Sequence, residues 1–379
     1  MMTIKKVMLA ASLLFVVSLA LDAAWTTKRL SNNSGESDFP VIAVNGSNVY
    51  VVWEDNTAGN YEIYFKKSTD NGATWQTNKR LTSNSGSSCS PAIAVNGSKV
   101  YVVWHDSTSG NSEIFFKRST DSGASWSASK RLTFNSGESV WPKIAVCGSN
   151  VFAVWSDSTP GNAEIYYGRS VDGGATWQSA KRLTNNAGRS VYPVIAVGGL
   201  TATKLYVAWH DDTPGNNEIY FCRSVDGGVT WRTVKRLTYI DGDSTYPSLA
   251  VSGSLIYMVW GEYDAVDDGI FLMKSLDSGV NWQSPKRLTD WWEFNPCVAV
   301  SGSNVYVAYG DFMGSMWRSI CFIKSTDGGD SWTEEEDISS VWSDEEAYDP
   351  AIAVNSSYVF VVFDKDYGDY EIILKRSPL

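Results

Sequence analysis

The chain has only two histidines in 379 residues, too few for the imidazole-rich ligand sets that zinc chemistry draws on. Its five cysteines are odd in number. Cys89, Cys147, Cys222, Cys297 and Cys321 also fall at five different positions of the repeat described below, so they read as small buried or half-buried fillers, not as a disulfide framework. Basic residues are outnumbered, 31 against 42 acidic, and a net charge of −11 excludes the cationic surfaces that hold nucleic acid or anionic membranes. One long apolar run exists, residues 7–21 behind Lys5 and Lys6, and it is short for a membrane span. With the small residues Ser18-Leu19-Ala20 near its end, it reads as a signal peptide over 1–20, cleaved on export. The mature chain is then extracellular or periplasmic, with no membrane insertion, and neither a metal nor another cofactor is expected.

What is abundant is one turn. Ser-x-Asp-x-Gly-x-Thr-Trp, or a close variant, occurs six times, with its carboxylate and indole at Asp70 and Trp75, Asp121 and Trp126, Asp172 and Trp177, Asp226 and Trp231, Asp277 and Trp282, and Asp327 and Trp332. The tryptophans stand 51, 51, 54, 51 and 50 residues apart, a period that marks a repeat architecture. Within one period, 40–44 is a short apolar run, 49–53 a second and 62–68 an alternating segment, and a fourth strand is expected over 75–81. Four short antiparallel strands per period with nothing helical between them describe a propeller blade.

The first-strand proline recurs seven times (Pro40, Pro91, Pro142, Pro193, Pro247, Pro296, Pro350), which gives seven blades. The chain opens on a fourth strand, 25–30, and closes after a third, 371–377. The N-terminal strand must therefore complete the C-terminal blade, so that neither edge is left open. The expected fold is all-β, a single seven-bladed β-propeller of four-stranded antiparallel blades spanning 25–379.

In the repeated turn the Asp carboxylate can accept backbone N–H groups, Gly tolerates positive φ, and Trp buries a large apolar area against its neighbour. A feature needed in every blade is a fold determinant, and one carboxylate per turn is too few for calcium. The turn resembles the Asp-box, or bacterial neuraminidase repeat, of sialidase-like propellers, over nearly the whole mature chain. That resemblance implies the fold but does not choose among sialidases, seven-bladed lectins, xyloglucan-cleaving hydrolases and sortilin-type receptors. It implies, for a sialidase, six blades and three arginines converging on the sugar carboxylate. This sequence departs on both counts: most of its arginines belong to the repeat, and Arg189 and Arg318 are left for the face opposite the Asp-boxes.

That opposite face carries the loops between second and third strands and between successive blades. Trp-x-Asp-x-Thr-x-Gly-Asn-x-Glu-Ile, with slight variation, occupies 53–63, 104–114, 155–165 and 209–219. The recurring carboxylates Asp55, Asp106, Asp157 and Asp211, with Glu62, Glu113, Glu164, Glu218 and Glu371, read as loop braces; the resemblance to lectins offers sugar pockets between blades instead. His105 and His210 read as loop residues.

The pattern fails in blades 5 to 7. There Glu262, Tyr263, Trp291, Trp292, Glu293, Phe312, Trp317, Arg318 and Trp342 replace the regular loop residues. Aromatic platforms beside carboxylates hold sugar rings by stacking and edge hydrogen bonds, so these residues are the candidate ligand-binding set. Trp141 is the fifth tryptophan outside the repeat positions. The expected function is non-catalytic recognition of a glycan or glycoprotein by a secreted monomer, and no residue is assigned a catalytic role. The alternatives are a glycoside hydrolase, with Glu262, Asp264, Glu293 and Asp311 as its supply of acid and base, and a structural extracellular module.

Overall fold

Alternation along each second strand explains why blades stack. In Asn48–Asp55, the side chains of Val49, Val51 and Trp53 pack on one neighbouring blade while Tyr50 and Val52 pack on the other. A strand buried on both faces needs a partner sheet on both sides, and a ring of sheets supplies one. The computed structural model describes residues 25–199, 203–264, 268–290, 293–313, 317–339 and 345–379. The expected signal (1–20), Trp291, Trp292 and Trp342 lie outside these residues. Seven four-stranded antiparallel sheets are present, with no helix among the described residues. Blade 1 is Ser37–Asn45, Asn48–Asp55, Glu62–Ser68 and Lys79–Arg80, and the others repeat that order.

Thr26–Arg29 pairs with Tyr370–Pro378, so the N-terminal strand completes blade 7 as expected. Arg29 meets Glu371 at 2.8 Å and the Leu30 amide donates to the Ile372 carbonyl at 2.7 Å. Apolar clusters join every pair of adjacent blades, including blade 7 to blade 1 through Val362, Leu374, Val51 and Trp53. The ring is closed.

Two strand expectations are revised. The fourth strand expected over 75–81 is only Lys79–Arg80, because the exposed residues 76–78 leave the ladder after the Gln76 amide donates to the Lys67 carbonyl. The first strand is longer than 40–44 and only half-buried in places, because first strands of successive blades meet one another at the centre of the ring.

The Asp-box keys each blade to the one before it. In the first copy Asp70 accepts from the Thr74 amide at 2.9 Å, the Thr74 hydroxyl at 2.6 Å and the Ser68 hydroxyl at 2.7 Å. Those donors hold its carboxyl far below the ordinary range. Gly123, at φ 85°, faces Phe65 of blade 1 so closely that a Cβ would lie 2.4 Å from the ring. Trp126 meets the same ring edge-on at 5.1 Å. Lys79 reaches across to the Ala124 carbonyl at 2.6 Å. Blade 7 has no box of its own, and Trp25 fills the missing place by packing edge-on against Phe322 at 5.0 Å.

The loop carboxylates are braces. Asp55 accepts from Trp53 Nε1, Ser37, Asn33 and the Thr57 amide, and Glu62 accepts from Arg80 and the Asn84 amide. In blade 2, Glu113 is fully buried and pairs with Arg131 at 2.7 Å. Glu113→Ala strands that guanidinium and the Asn135 amide. It is expected to cost about 3 kcal/mol, read as a lower urea midpoint, whereas Glu138→Ala on the exposed side of the same loop should stay within about 0.5 kcal/mol.

Candidate functional site

Every first strand carries a bulge at its proline, where two residues face one on the second strand. Proline disfavours helical backbone in the residue before it. Here that residue takes the left-handed region instead: Phe39, Ser90, Trp141, Tyr192, Tyr246, Asn295 and Asp349 all have φ between 46° and 53°. For side chains other than glycine such a conformation costs on the order of 1–3 kcal/mol and persists only where the surroundings enforce it. Seven strained residues thus ring the axis on the loop face. Beside them on the second strands sits a second ring, the x of Trp-x-Asp in blades 1 to 4 and its counterpart after Trp260, Tyr309 and Phe363 in blades 5 to 7, occupied by Glu54, His105, Ser156, His210, Gly261, Gly310 and Asp364. Together these rings form the axial mouth.

Blades 7 and 1 make one side of the mouth acidic. Glu54 is 5% exposed and accepts from the Ser90 amide at 2.6 Å. Burial first, and Asp38 and Asp349 after it, push its carboxyl up to about 8. Burial likewise pushes Asp38 up to about 6 against the pull of the Tyr61 hydroxyl, and Asp349 up to about 6 against its bond from Asn295 at 2.9 Å. Asp364, 3% exposed, is raised by burial and by Asp349, Asp38 and Glu54. Lys143 of blade 3 is open to water yet surrounded by protein on most sides; burial lowers it, and Asp349 opposes that. Asp349 therefore acts across the mouth.

Blades 3 to 5 make the other side aromatic. Trp141 stacks on Tyr192 at 4.2 Å, and Tyr192 meets Tyr246 at 4.8 Å and His210 at 5.2 Å. His210 Nδ1 accepts from the Tyr246 amide, and burial lowers the imidazole to about 4, so it is neutral near pH 7. The two histidines are strand residues of this inner ring, not loop residues, each next to last in its second strand, Lys99–Asp106 and Lys204–Asp211. Asp364 Oδ1, Ser156 Oγ, His105 Nδ1 and Thr245 Oγ1 are buried without a hydrogen-bond partner in the protein.

The irregular sector resolves into two groups. Phe312 and Arg318 come together: the Arg318 guanidinium lies 4.8 Å from the Phe312 ring and 4.7 Å from Tyr348. Trp317 opens the third strand of blade 6 beside Arg318, paired with Met313. Glu262 and Glu293 are instead buried. Glu262 takes the place of Asp55 in its blade and accepts from Trp260 Nε1 at 2.8 Å; Glu293 takes the place of Ser37 and accepts from Thr289. Burial, with Asp311 and Glu335 adding to it, pushes Glu293 up to about 8. Tyr263 ends its second strand half-buried.

Asp311, Cys321 and Glu335 are the described residues that bring three possible metal donors within 4.8 Å of one another. Glu335 already accepts from Tyr309 and Cys321, and burial pushes the Cys321 thiol up, away from the thiolate a metal would take. A shallow groove of about 250 Å³ beside Tyr257 and Asp327 lies on the Asp-box face, remote from the mouth.

Sequence reasoning missed the mouth's two rings. The signal was available: the residue before each first-strand proline and the x of Trp-x-Asp change from blade to blade inside a conserved frame.

A family model described as a BNR repeat-like domain matches residues 39–258. A xyloglucanase of Acetivibrio thermocellus is 25% identical over 250 residues, 57% of this chain and 28% of its own length, so the chain spans little more than a quarter of that curated relative. Among solved structures, the phage phi92 endosialidase superposes with a TM-score of 0.60 at 10% identity, over 94% of this chain and 69% of that one. An ulvan lyase gives 0.62 at 11% identity, over 91% and 94%. The Trypanosoma rangeli sialidase gives 0.54 at 12%, over 94% and 59%. At such identities the likeness shows the fold alone.

The titration of Glu54 has a consequence for stability. Its carboxyl is raised from an ordinary 4.5 to about 8, so between those values the unfolded chain releases a proton that the folded chain keeps. Stability therefore falls as pH rises through that window and levels off above it. Thermal melts of the wild type should show this decline, and Glu54→Gln should make it shallower, the remainder coming from the other raised carboxyls such as Glu293.

Proposed function

The chain belongs to the BNR repeat-like family, and from that premise we propose that it is a secreted, monomeric propeller that binds a glycan or glycoprotein on the face opposite its Asp-boxes. The carrying observation is the Trp141–Tyr192 stack set beside carboxylates in the axial mouth. Indole and phenol faces suit the C–H side of a pyranose, and carboxylates suit its hydroxyls. The sector of Phe312 and Arg318 extends this surface, and Trp291, Trp292, Trp317 and Trp342 belong to it on the sequence reading. Relatives named for xyloglucan, ulvan and sialosides support a saccharide as the ligand class.

A sialidase-type grip on a sugar carboxylate is disfavoured by where the arginines are engaged. In a sialidase, three arginines hold the sugar carboxylate by paired hydrogen bonds. Here Arg29, Arg80, Arg131, Arg182 and Arg236 are each paired with a blade glutamate, and Arg118, Arg223 and Arg376 reach Asp-box carbonyls of the next blade. The second reading, a polysaccharide-cleaving enzyme, rests on Glu54, whose carboxyl still holds its proton near neutrality as a general acid must.

A glycan array on the full chain is the test, with a panel of polysaccharides assayed for reducing ends. Trp141→Ala and Tyr192→Ala should each weaken binding by about tenfold, the worth of a stacking face of roughly 1–1.5 kcal/mol. Turnover abolished by Glu54→Gln would replace the binding reading with the catalytic one. An array without a single bound glycan, together with a polysaccharide panel left uncleaved, would remove both.

A further inference from the structure

The acidic side of the mouth narrows the ligand class. Asp38, Glu54, Asp349 and Asp364 come from two adjacent blades and act on one another's charges. Asp364 Oδ1 is buried and has no partner in the protein, and Ser156 Oγ, 1% exposed, is in the same state on the second strand of blade 3. A carboxyl buried without a partner is costly in its charged form and is held neutral, and a cation at the mouth would favour its ionised form. No three of the four carboxylates place their oxygens within 4.8 Å of each other, a spacing that only Asp311, Cys321 and Glu335 reach among the described residues. They do not form a compact three-donor set, and an occupant with several donors can meet more than one of them.

Charge sets the rest. At neutral pH Asp38 and Asp349, raised only to about 6, carry charge while burial holds Glu54 and Asp364 neutral, and a sugar bearing carboxylate or sulfate would bring a further negative charge against the charged pair. A primary ammonium brings three N–H donors and a positive charge, and its hydrogen bonds to carboxylates are of the strong, charge-assisted kind. The aromatic side lies within electrostatic reach, since Asp349 raises the Tyr192 hydroxyl as well as acting on Lys143.

We propose that the axial mouth binds a saccharide bearing free amino groups, its pyranose face on Trp141, which Tyr192 backs, and its ammonium among Asp38, Glu54, Asp349 and Asp364. This rests on the glycan reading above and specifies its substrate class.

Titration calorimetry on the full chain, with a glucosamine tetramer, the N-acetylglucosamine tetramer and spermine as separate probes, tests it. The glucosamine tetramer should bind at least about tenfold more tightly than its acetylated counterpart. Asp349→Asn and Asp364→Asn should each remove most of that preference, with thermal melts confirming that both variants fold. The wild-type preference is informative even if one variant does not. Equal affinity, or a preference for the acetylated tetramer, overturns the inference and leaves the glycan reading standing. So does failure of both tetramers when the array shows another glycan bound. Spermine binding as tightly as the glucosamine tetramer overturns it too, because the mouth would then be reading charge without the sugar. If the array is empty as well, the broader reading falls and takes this one with it.

Discussion

Each blade covers both of its faces with its neighbours, so no blade is complete until the last has met the first. That constraint organises the molecule. Trp53 of blade 1 packs with Leu374 of blade 7, while Tyr50 from the same strand packs into blade 2. The Asp-box makes the joint directional: Gly123 leaves room for Phe65 of the preceding blade, Trp126 covers the ring, and Lys79 ties the strand to the box carbonyl. Trp25, on Phe322, does the same work where the chain has no box to offer. Closure by Thr26–Arg29 is thus required for the packing of blades 6, 7 and 1 together.

A ring so constrained leaves little freedom for function. Side chains between blades are committed to packing, and the loop carboxylates are committed to holding loops. Asp55 has four donors, and Glu62 and its counterparts are wholly buried beneath arginines. What remains variable is the two rings around the axis, where the bulge at each proline forces one side chain into the left-handed region. The strain recurs in all seven blades, so it belongs to the scaffold. Its effect is to present seven independently chosen residues around one mouth, and the chain has placed aromatics on one side and acids on the other.

Blade 6 shows how the scaffold absorbs exceptions. Ser319 and Asp337 stand where blades 1 to 4 and 7 have a buried glutamate and its arginine, and Glu293 stands where blades 1 to 5 have serine. Burial, with Asp311 and Glu335 beside it, raises Glu293 to about 8 and favours its neutral form. The arginine that does appear, Arg318, lies on aromatic faces at the rim. An arginine lying on aromatic faces is different in kind from three guanidiniums converging on one anion.

From its residues alone the chain determines the fold. The period of the boxes, the seven prolines and the offset of its ends specify seven blades and their closure, because packing patterns repeat along the chain and can be counted there. Box function was legible for the same reason: Asp70, Gly72 and Trp75 act within one turn. The length of the fourth strand was not, since residues 76–78 leave the ladder through geometry that residue type does not encode. The site was legible only in part. Irregular loops drew attention to Phe312 and Arg318, which do meet, but also to Glu262 and Glu293, which are buried. The mouth itself is decided by tertiary structure alone. Glu54, Trp141, Tyr192, Asp349 and Asp364 are up to 310 residues apart in order, and only the curvature that brings blade 7 beside blade 1 makes them neighbours.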